Sequence, residues 1–276
     1  MSELTSTPWV VATGITGFYW KAPKPKAQLL LQHGLGEYSE RYVDKYNQLI
    51  PKLLENGFDV YAIDLPGHGR SEGKRALVDL HEGLKSHLMA RGLMPNSGLP
   101  TFLYGHSLGG LVTAASVIAN PSGITAAVIG SSALHLPSKL WERVLGGIMG
   151  RIAPNADIAV PRPGLEALSR DPQIMIDAEN DPLFYPGKAK NLVAKTVIEL
   201  SDDIWKKLGD WKVPTLIMHG DKDTSTDVNS SKALFEQISS IDKELKIYPG
   251  AFHELLNDLV KTEATKDLLD WLNARV

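Results

Sequence analysis

The chain has 276 residues, 43% hydrophobic and 22% charged, the balance of a globular protein large enough to bury a sizeable core. A net charge of −3 leaves no basic surplus for gripping phosphate backbones, so no nucleic-acid partner is expected. Cysteine is absent, which excludes disulfides, thiolate metal sites and cysteine nucleophiles and leaves oxygen and nitrogen groups for any chemistry.

At the amino end, Met1 to Trp9 lack the basic start and apolar run of a signal peptide. No stretch is apolar for the roughly 18 residues that a membrane helix needs. A cytoplasmic protein is the expectation. Strands are predicted at Val10 to Thr13, Gly17 to Lys21, Ala27 to Gln32, Asp59 to Ile63, Thr101 to Tyr104, Ala126 to Gly130, Thr215 to His219 and Leu245 to Tyr248. Helical patterns fall near Tyr42 to Glu55, Leu77 to Arg91, Leu108 to Ile118, Ser230 to Ile238 and Glu263 to Ala274. The alternation predicts an α/β fold, a mostly parallel eight-stranded sheet with helices on both faces, whose first two strands form an antiparallel edge.

From Leu134 to Trp205 the rhythm breaks into helix-like spacing with many prolines, which predicts an inserted helical cap (134–205) on a core made of 1–133 and 206–276. Leu140, Val144, Leu145, Ile148 and Met149 recur at helical spacing on one face, with Lys139, Glu142 and Arg143 elsewhere around it. Pro154, Pro161, Pro163 and Pro172 cut the segment that follows into short pieces.

The feature that carries chemistry is Gly105-His106-Ser107-Leu108-Gly109, set between a strand and a helix. This is a nucleophile elbow in the context that gives it meaning. A serine in so sharp a turn needs small residues two positions to either side, and the helix that begins beside it turns unpaired amides toward any oxyanion formed there. A second donor is expected from His33-Gly34-Leu35-Gly36-Glu37, after the Ala27 to Gln32 strand. The amides of Leu35 and Leu108 would then converge. Losing one such donor typically costs about 3 kcal/mol of transition-state stabilisation.

Of eight histidines, His253 stands on a loop after the final strand, at the sheet edge that also carries Ser107, and is the candidate base. His33 and His106 belong to the two motifs above, and His68 to a separate glycine-rich turn. For the orienting acid, Asp221 and Asp223 both follow a strand end, with Asp227 more distant. The order serine, acid, histidine is that of the α/β-hydrolases. Relatives with an aspartate at the elbow, the dehalogenases and epoxide hydrolases, are disfavoured by Ser107.

These residues resemble the monoacylglycerol lipase and lysophospholipase family of α/β-hydrolases over almost the whole chain beyond about Gly14. The blocks are His33 to Glu37 with Ser39 and Arg41-Tyr42, Asp64 to Ser71, Gly105 to Gly110, Ser169-Arg170-Asp171, Asn180 to Leu183 and Lys246 to His253. The resemblance implies Asp223 as the acid and His253 as the base. It also implies a pocket wall near the headgroup from Glu37 and Arg41, for which a loop-holding salt bridge is the equal alternative. Further substrate-binding candidates are His106 and, from the cap helix, Leu145, Ile148 and Met149. Two departures bear on the headgroup: Ala76 to Pro100 is shorter than usual for the family, and Leu255-Leu256 follows His253.

The expected reaction is hydrolysis of a single-chain lipid ester, a monoacylglycerol first, by way of an acyl-enzyme on Ser107 and with no cofactor. A broad carboxylesterase, a lysophospholipase and a scaffold that has lost turnover are the alternatives. The apolar cap helix fits three uses: core of the cap or a dimer contact, lining for an acyl chain, or peripheral contact with a membrane surface. The sequence does not indicate an oligomeric state.

Overall fold

A computed structural model describes residues 6–137, 139–159 and 163–276. Pro161 and the residues at 1–5 lie outside the described set. Eight strands form one sheet: β1 Thr7–Ala12, β2 Ile15–Trp20, β3 Ala27–Gln32, β4 Phe58–Ile63, β5 Thr101–His106, β6 Ala126–Gly130, β7 Thr215–Gly220 and β8 Lys243–Tyr248. Their order is β1-β2-β4-β3-β5-β6-β7-β8. β1 pairs antiparallel with β2 and β2 with β4, whereas β4, β3 and β5 to β8 run parallel. The antiparallel edge and the parallel body match the expectation strand for strand, and the architecture is the α/β-hydrolase fold.

The helices among the described residues are α1 Arg41–Asp44, α2 Leu49–Glu55, α3 Leu80–Leu93, α4 Leu108–Ala119, α5 Leu140–Ile152, α6 Pro172–Asn180, α7 Asn191–Trp205, α8 Val228–Gln237 and α9 Lys261–Asn273. The pleat sends alternate strand residues to opposite layers. Leu29, Leu31, Phe102, Tyr104, Leu216 and Met218 pack with residues of α1, α2 and α9. Leu30, Leu103 and Ile217 pack with residues of α3, α4, α7 and α8. Central strands buried on both faces carry continuous apolar runs, as a parallel sheet requires.

Several element ends shift by one to three residues, β1 beginning at Thr7 rather than Val10 and β8 at Lys243 rather than Leu245, and three further differences bear on the layers around the site. The helix predicted over Tyr42 to Glu55 is two helices, because Tyr46, Asn47 and Gln48 all adopt the left-handed conformation with φ of 53 to 56°. Tertiary bonds hold that turn: the Tyr46 amide donates to Asn257 Oδ1, and Asn47 Nδ2 donates to the Lys261 carbonyl and to Thr265 Oγ1 at 3.2 and 2.9 Å. α3 starts at Leu80 rather than Leu77 because Asp79 caps it, accepting the His81 amide at 2.9 Å. β5 runs on through Gly105 and His106, so the turn begins at Ser107 itself.

Between β6 and β7, among the described residues, lie α5, α6, α7 and two 3₁₀ turns, at Leu165–Ala167 and Leu208–Asp210. Pro172 occupies the first turn of α6 after the Asp171 cap, a position where its missing amide costs nothing. α7 shares the hydrophobic layer of α3 and α4 through Val193, Leu200 and Ile204, and Thr196 Oγ1 accepts the Leu80 amide at 3.2 Å. α5 packs on α7 through its glycine side: a Cβ at Gly150 would run into the Lys195 stem, and Gly146 faces Ile198. The opposite face of α5 is solvent-facing, with Leu140, Trp141, Val144, Leu145, Ile148 and Ile152 all exposed.

Candidate active site

Ser107 sits between β5 and α4 with φ 55° and ψ −120°, a conformation that an L-residue adopts only when its surroundings impose it. They do so here. A Cβ at Gly105 would collide with the Gly109 carbonyl and Thr113 Oγ1, and one at Gly109 with the carbonyls of Gln32 and His33. These glycines let the elbow lie against β3. The Ser107 amide donates to the Gly130 carbonyl at 2.9 Å and its carbonyl accepts the Ala133 amide at 2.9 Å, which anchors the turn to the end of β6.

His253, on the loop after β8, brings Nε2 to 2.9 Å from Ser107 Oγ, and its Nδ1 lies 2.7 Å from Asp223 Oδ2. Asp223 follows β7, and its side chain is fully buried. Its Oδ1 accepts the amides of Ser225 and Thr226 at 2.7 and 3.0 Å. Burial would raise its pKa, but His253 and His219 outweigh burial and hold the carboxyl well below the usual range. For His253, burial opposes the imidazolium, and Asp223 first, then Glu254 and Glu37, reverse the balance and raise its pKa. Asp221 points elsewhere, accepting the Gly250 amide at 2.6 Å, and Asp227 caps α8. Of the three acids offered by the sequence, Asp223 alone reaches His253.

After β3, the loop expected to give the second oxyanion donor folds over Ser107. Gly34 donates its amide to Glu37 Oε2 at 2.8 Å, and the Gly36 carbonyl accepts the Tyr185 amide at 2.8 Å. The amides of Leu35 and Leu108 have no hydrogen-bond partner within the protein among the described residues. His33 receives the Leu65 amide on Nε2 at 3.0 Å, so it orients the loop.

Beneath the cleft, Arg41 lies buried between two carboxylates. It pairs with Glu37 and with Glu254 Oε1, the latter at 3.1 Å. Tyr42 and Tyr46 donate their hydroxyls to Glu37, and Asn257 Nδ2 donates to Glu254 Oε2 at 2.6 Å. Burial works against the Arg41 charge, but Glu254, Tyr46 and Glu37 outweigh it and lift its pKa.

A cleft open to solvent lies over Ser107 and is walled by Leu35, Glu37, His106, His253, Glu254 and Phe184 among others. His106 lines it as expected; burial and His253 push its pKa down to about 3. Arg41 does not line the cleft, so of its two readings the loop-holding salt bridge fits. Leu145, Ile148 and Met149 do not line it either. Leu145 and Ile148 turn outward because the glycine face is the one that packs on α7, and Met149 is half-buried. The apolar wall comes instead from Leu165, Leu168 and Phe184, of which only the neighbouring Asn180 to Leu183 block stood out in the sequence. Glu254 was also missed, though an acid directly after the candidate base was a readable signal. Among the described residues no group of three or more histidine or acidic side chains is arranged to hold a metal ion.

Residues 23–260 match the family model described as serine aminopeptidase, S33. The chain belongs to this family. A monoacylglycerol lipase of Mycolicibacterium smegmatis is 30% identical over 90% of this chain and 88% of its own. A monoglyceride lipase homolog of monkeypox virus is 31% identical over 94% of each chain. Among solved structures, the monoacylglycerol lipase of Paleococcus ferrophilus superposes with a TM-score of 0.81 at 30% identity, over 94% of this chain and 99% of that one. The family resemblance read from the motif blocks is borne out.

Proposed function

We propose that the protein is a serine ester hydrolase that cleaves monoacylglycerols to glycerol and a free fatty acid. The observation that carries the reading is the unbroken line from Ser107 Oγ through His253 to Asp223, at 2.9 and 2.7 Å. Ser107 Oγ attacks the ester carbonyl carbon while His253 Nε2 takes its proton, and the amides of Leu35 and Leu108 hold the resulting oxyanion. Collapse expels the alcohol, which leaves with the proton from His253. Water, giving its proton to the same nitrogen, then attacks the acyl-serine and frees the acid.

The lipid substrate is supported by the names of the relatives and by the apolar wall of Leu165, Leu168 and Phe184. Burying an acyl chain there contributes about 0.8 kcal/mol per methylene. Residues 134–205 act in this reading as a cap whose last helix, α7, is anchored in the core layer, while the outward face of α5 rests on the lipid surface that holds the substrate. No helix among the described residues is long and apolar enough to cross a membrane, so contact would be peripheral. Turnover of a long-chain monoacylglycerol beside a short p-nitrophenyl ester tests the substrate. Hydrolysis of the short ester alone would leave a carboxylesterase and remove the lipase.

A further inference from the structure

Asp223 has more partners than the orientation of one imidazole requires. Besides His253, its Oδ2 faces His219 Nε2 at 3.1 Å and the Thr226 hydroxyl at 2.8 Å. His219 is the penultimate residue of β7 and is completely buried. Its Nδ1 lies 2.7 Å from Ser231 Oγ, on the first turn of α8. Ser231 is buried too, and its hydroxyl has no other partner among the described residues.

The position of the His219 proton follows from these contacts. A proton on Nδ1 would leave the Nε2 lone pair facing a carboxylate oxygen, two acceptors in contact. Thr226 is a poor remedy, since its hydroxyl is 3.3 Å from Nε2 and closer to Asp223 itself. A proton on Nε2 removes that conflict: it faces Asp223 Oδ2 at 3.1 Å and the oxygen of the Thr226 hydroxyl, which itself donates to Asp223, while Ser231 donates to His219 Nδ1. We propose that His219 is a positioning residue for the triad acid, fixed by Ser231 as the Nε2–H tautomer and donating to Asp223 Oδ2 so that the carboxylate stays aimed at His253. The proposal rests on the serine-hydrolase reading above.

The relay then runs from Ser231 to His219 to Asp223, and from Ser107 through His253 to the same acid. Two imidazole N–H groups meet one carboxylate oxygen, and two backbone amides fix the other. The charged and titratable groups facing this pair are Glu254, Glu37 and His106 on the His253 side. Without the His219 donor, Asp223 becomes a stronger base and is held less firmly. It would then retain the His253 proton to higher pH and orient the ring less well.

The test uses soluble p-nitrophenyl butyrate, full pH profiles and four variants. A lost hydrogen bond to a charged group implies that His219→Leu lowers kcat about 10- to 100-fold with KM unchanged, and moves the acid limb of kcat/KM to higher pH. His219→Gln, with an amide N–H near the place of Nε2, should recover to within about threefold of the wild type. Ser231→Ala should lower kcat when His219 is present and do nothing further in the His219→Leu background, because it acts only through that ring. Independently of activity, nitrogen NMR of the histidine-labelled protein should show His219 protonated at Nε2. A proton on Nδ1, or a folded His219→Leu protein with wild-type kcat and acid limb, overturns the inference while leaving the hydrolase reading intact. A wild-type protein without ester turnover overturns both.

Discussion

Arg170, in the segment between β6 and β7, pairs with Asp258, five residues beyond His253 in the chain. Arg170 Nε and its amide donate to the two Asp258 oxygens at 2.8 and 2.9 Å, and the Phe252 amide donates to the same carboxylate at 3.3 Å. The Glu254 amide donates to the Leu168 carbonyl at 2.8 Å, so the histidine loop is stapled to that segment on both sides of His253. Asp258 is fully buried, and removing its cation strands the charge. Arg170→Met is expected to cost about 3 kcal/mol of stability. It should also lower kcat more than it raises KM, since it loosens the base rather than the cleft. Thermal melts and steady-state kinetics on one soluble ester check both.

Asp223→Asn should lower kcat about 10⁴-fold, because an amide cannot hold the His253 tautomer. Asp221→Asn should stay within about threefold of the wild type, since its carboxylate serves only the Gly250 turn. Equal losses in the two variants would show that the 2.7 Å contact to His253 is not the one that matters.

The pH dependence follows from the signs at the triad. Turnover needs the neutral imidazole, and the His253 pKa is raised, so the acid limb of kcat/KM is expected above the ordinary histidine value of 6.5. Stability runs the other way. A raised histidine contributes below its unfolded pKa and loses that contribution as pH rises through the folded one, whereas the depressed Asp223 contributes above its unfolded pKa and loses it as pH falls. Both contributions are present between about pH 4 and 6.5. Glu254→Gln removes one of the carboxylates that raise His253, so the acid limb should move to lower pH. A limb that stays in place would mean that Glu254 serves Arg41 alone.

Gly109→Ala should destabilise the protein by at least about 3 kcal/mol or prevent its accumulation, because the added methyl meets two carbonyl oxygens that cannot retreat without breaking β3. Gly147→Ala, in α5, meets nothing within van der Waals range and should add up to about 1 kcal/mol of stability. Denaturant melts of the pair separate a glycine required by close approach from one that is not.

Replacing Leu145 and Ile148 together by serine should change stability by no more than about 0.5 kcal/mol, since both side chains are exposed. Vesicle co-sedimentation should weaken while soluble-ester turnover stays constant. Loss of soluble-ester turnover would instead place that face in the catalytic cleft.

What could be read in advance follows from how local each signal is. The elbow was legible because strand, Ser107, paired glycines and helix are contiguous, and β3 to β7 because residues such as Leu29 to Leu31 are buried on both faces. The break at Tyr46 to Gln48 was not, because the groups that hold it come from Asn257 and Thr265, more than 200 positions away. The apolar spacing of Leu145 and Ile148 correctly marked one face of a helix, but periodicity says nothing of what lies against that face. Here small residues, not large ones, make the contact with α7. His219 read only as the end of a strand, since its meaning depends on Ser231 and Asp223 meeting it in space.

Labelling with a fluorophosphonate probe, followed by peptide mass spectrometry, tests the assignment of Ser107 most directly. The folded protein should carry one adduct, on Ser107, lost in Ser107→Ala and slowed by orders of magnitude in His253→Ala. An unlabelled Ser107 in folded protein, or an adduct on another residue, would contradict it.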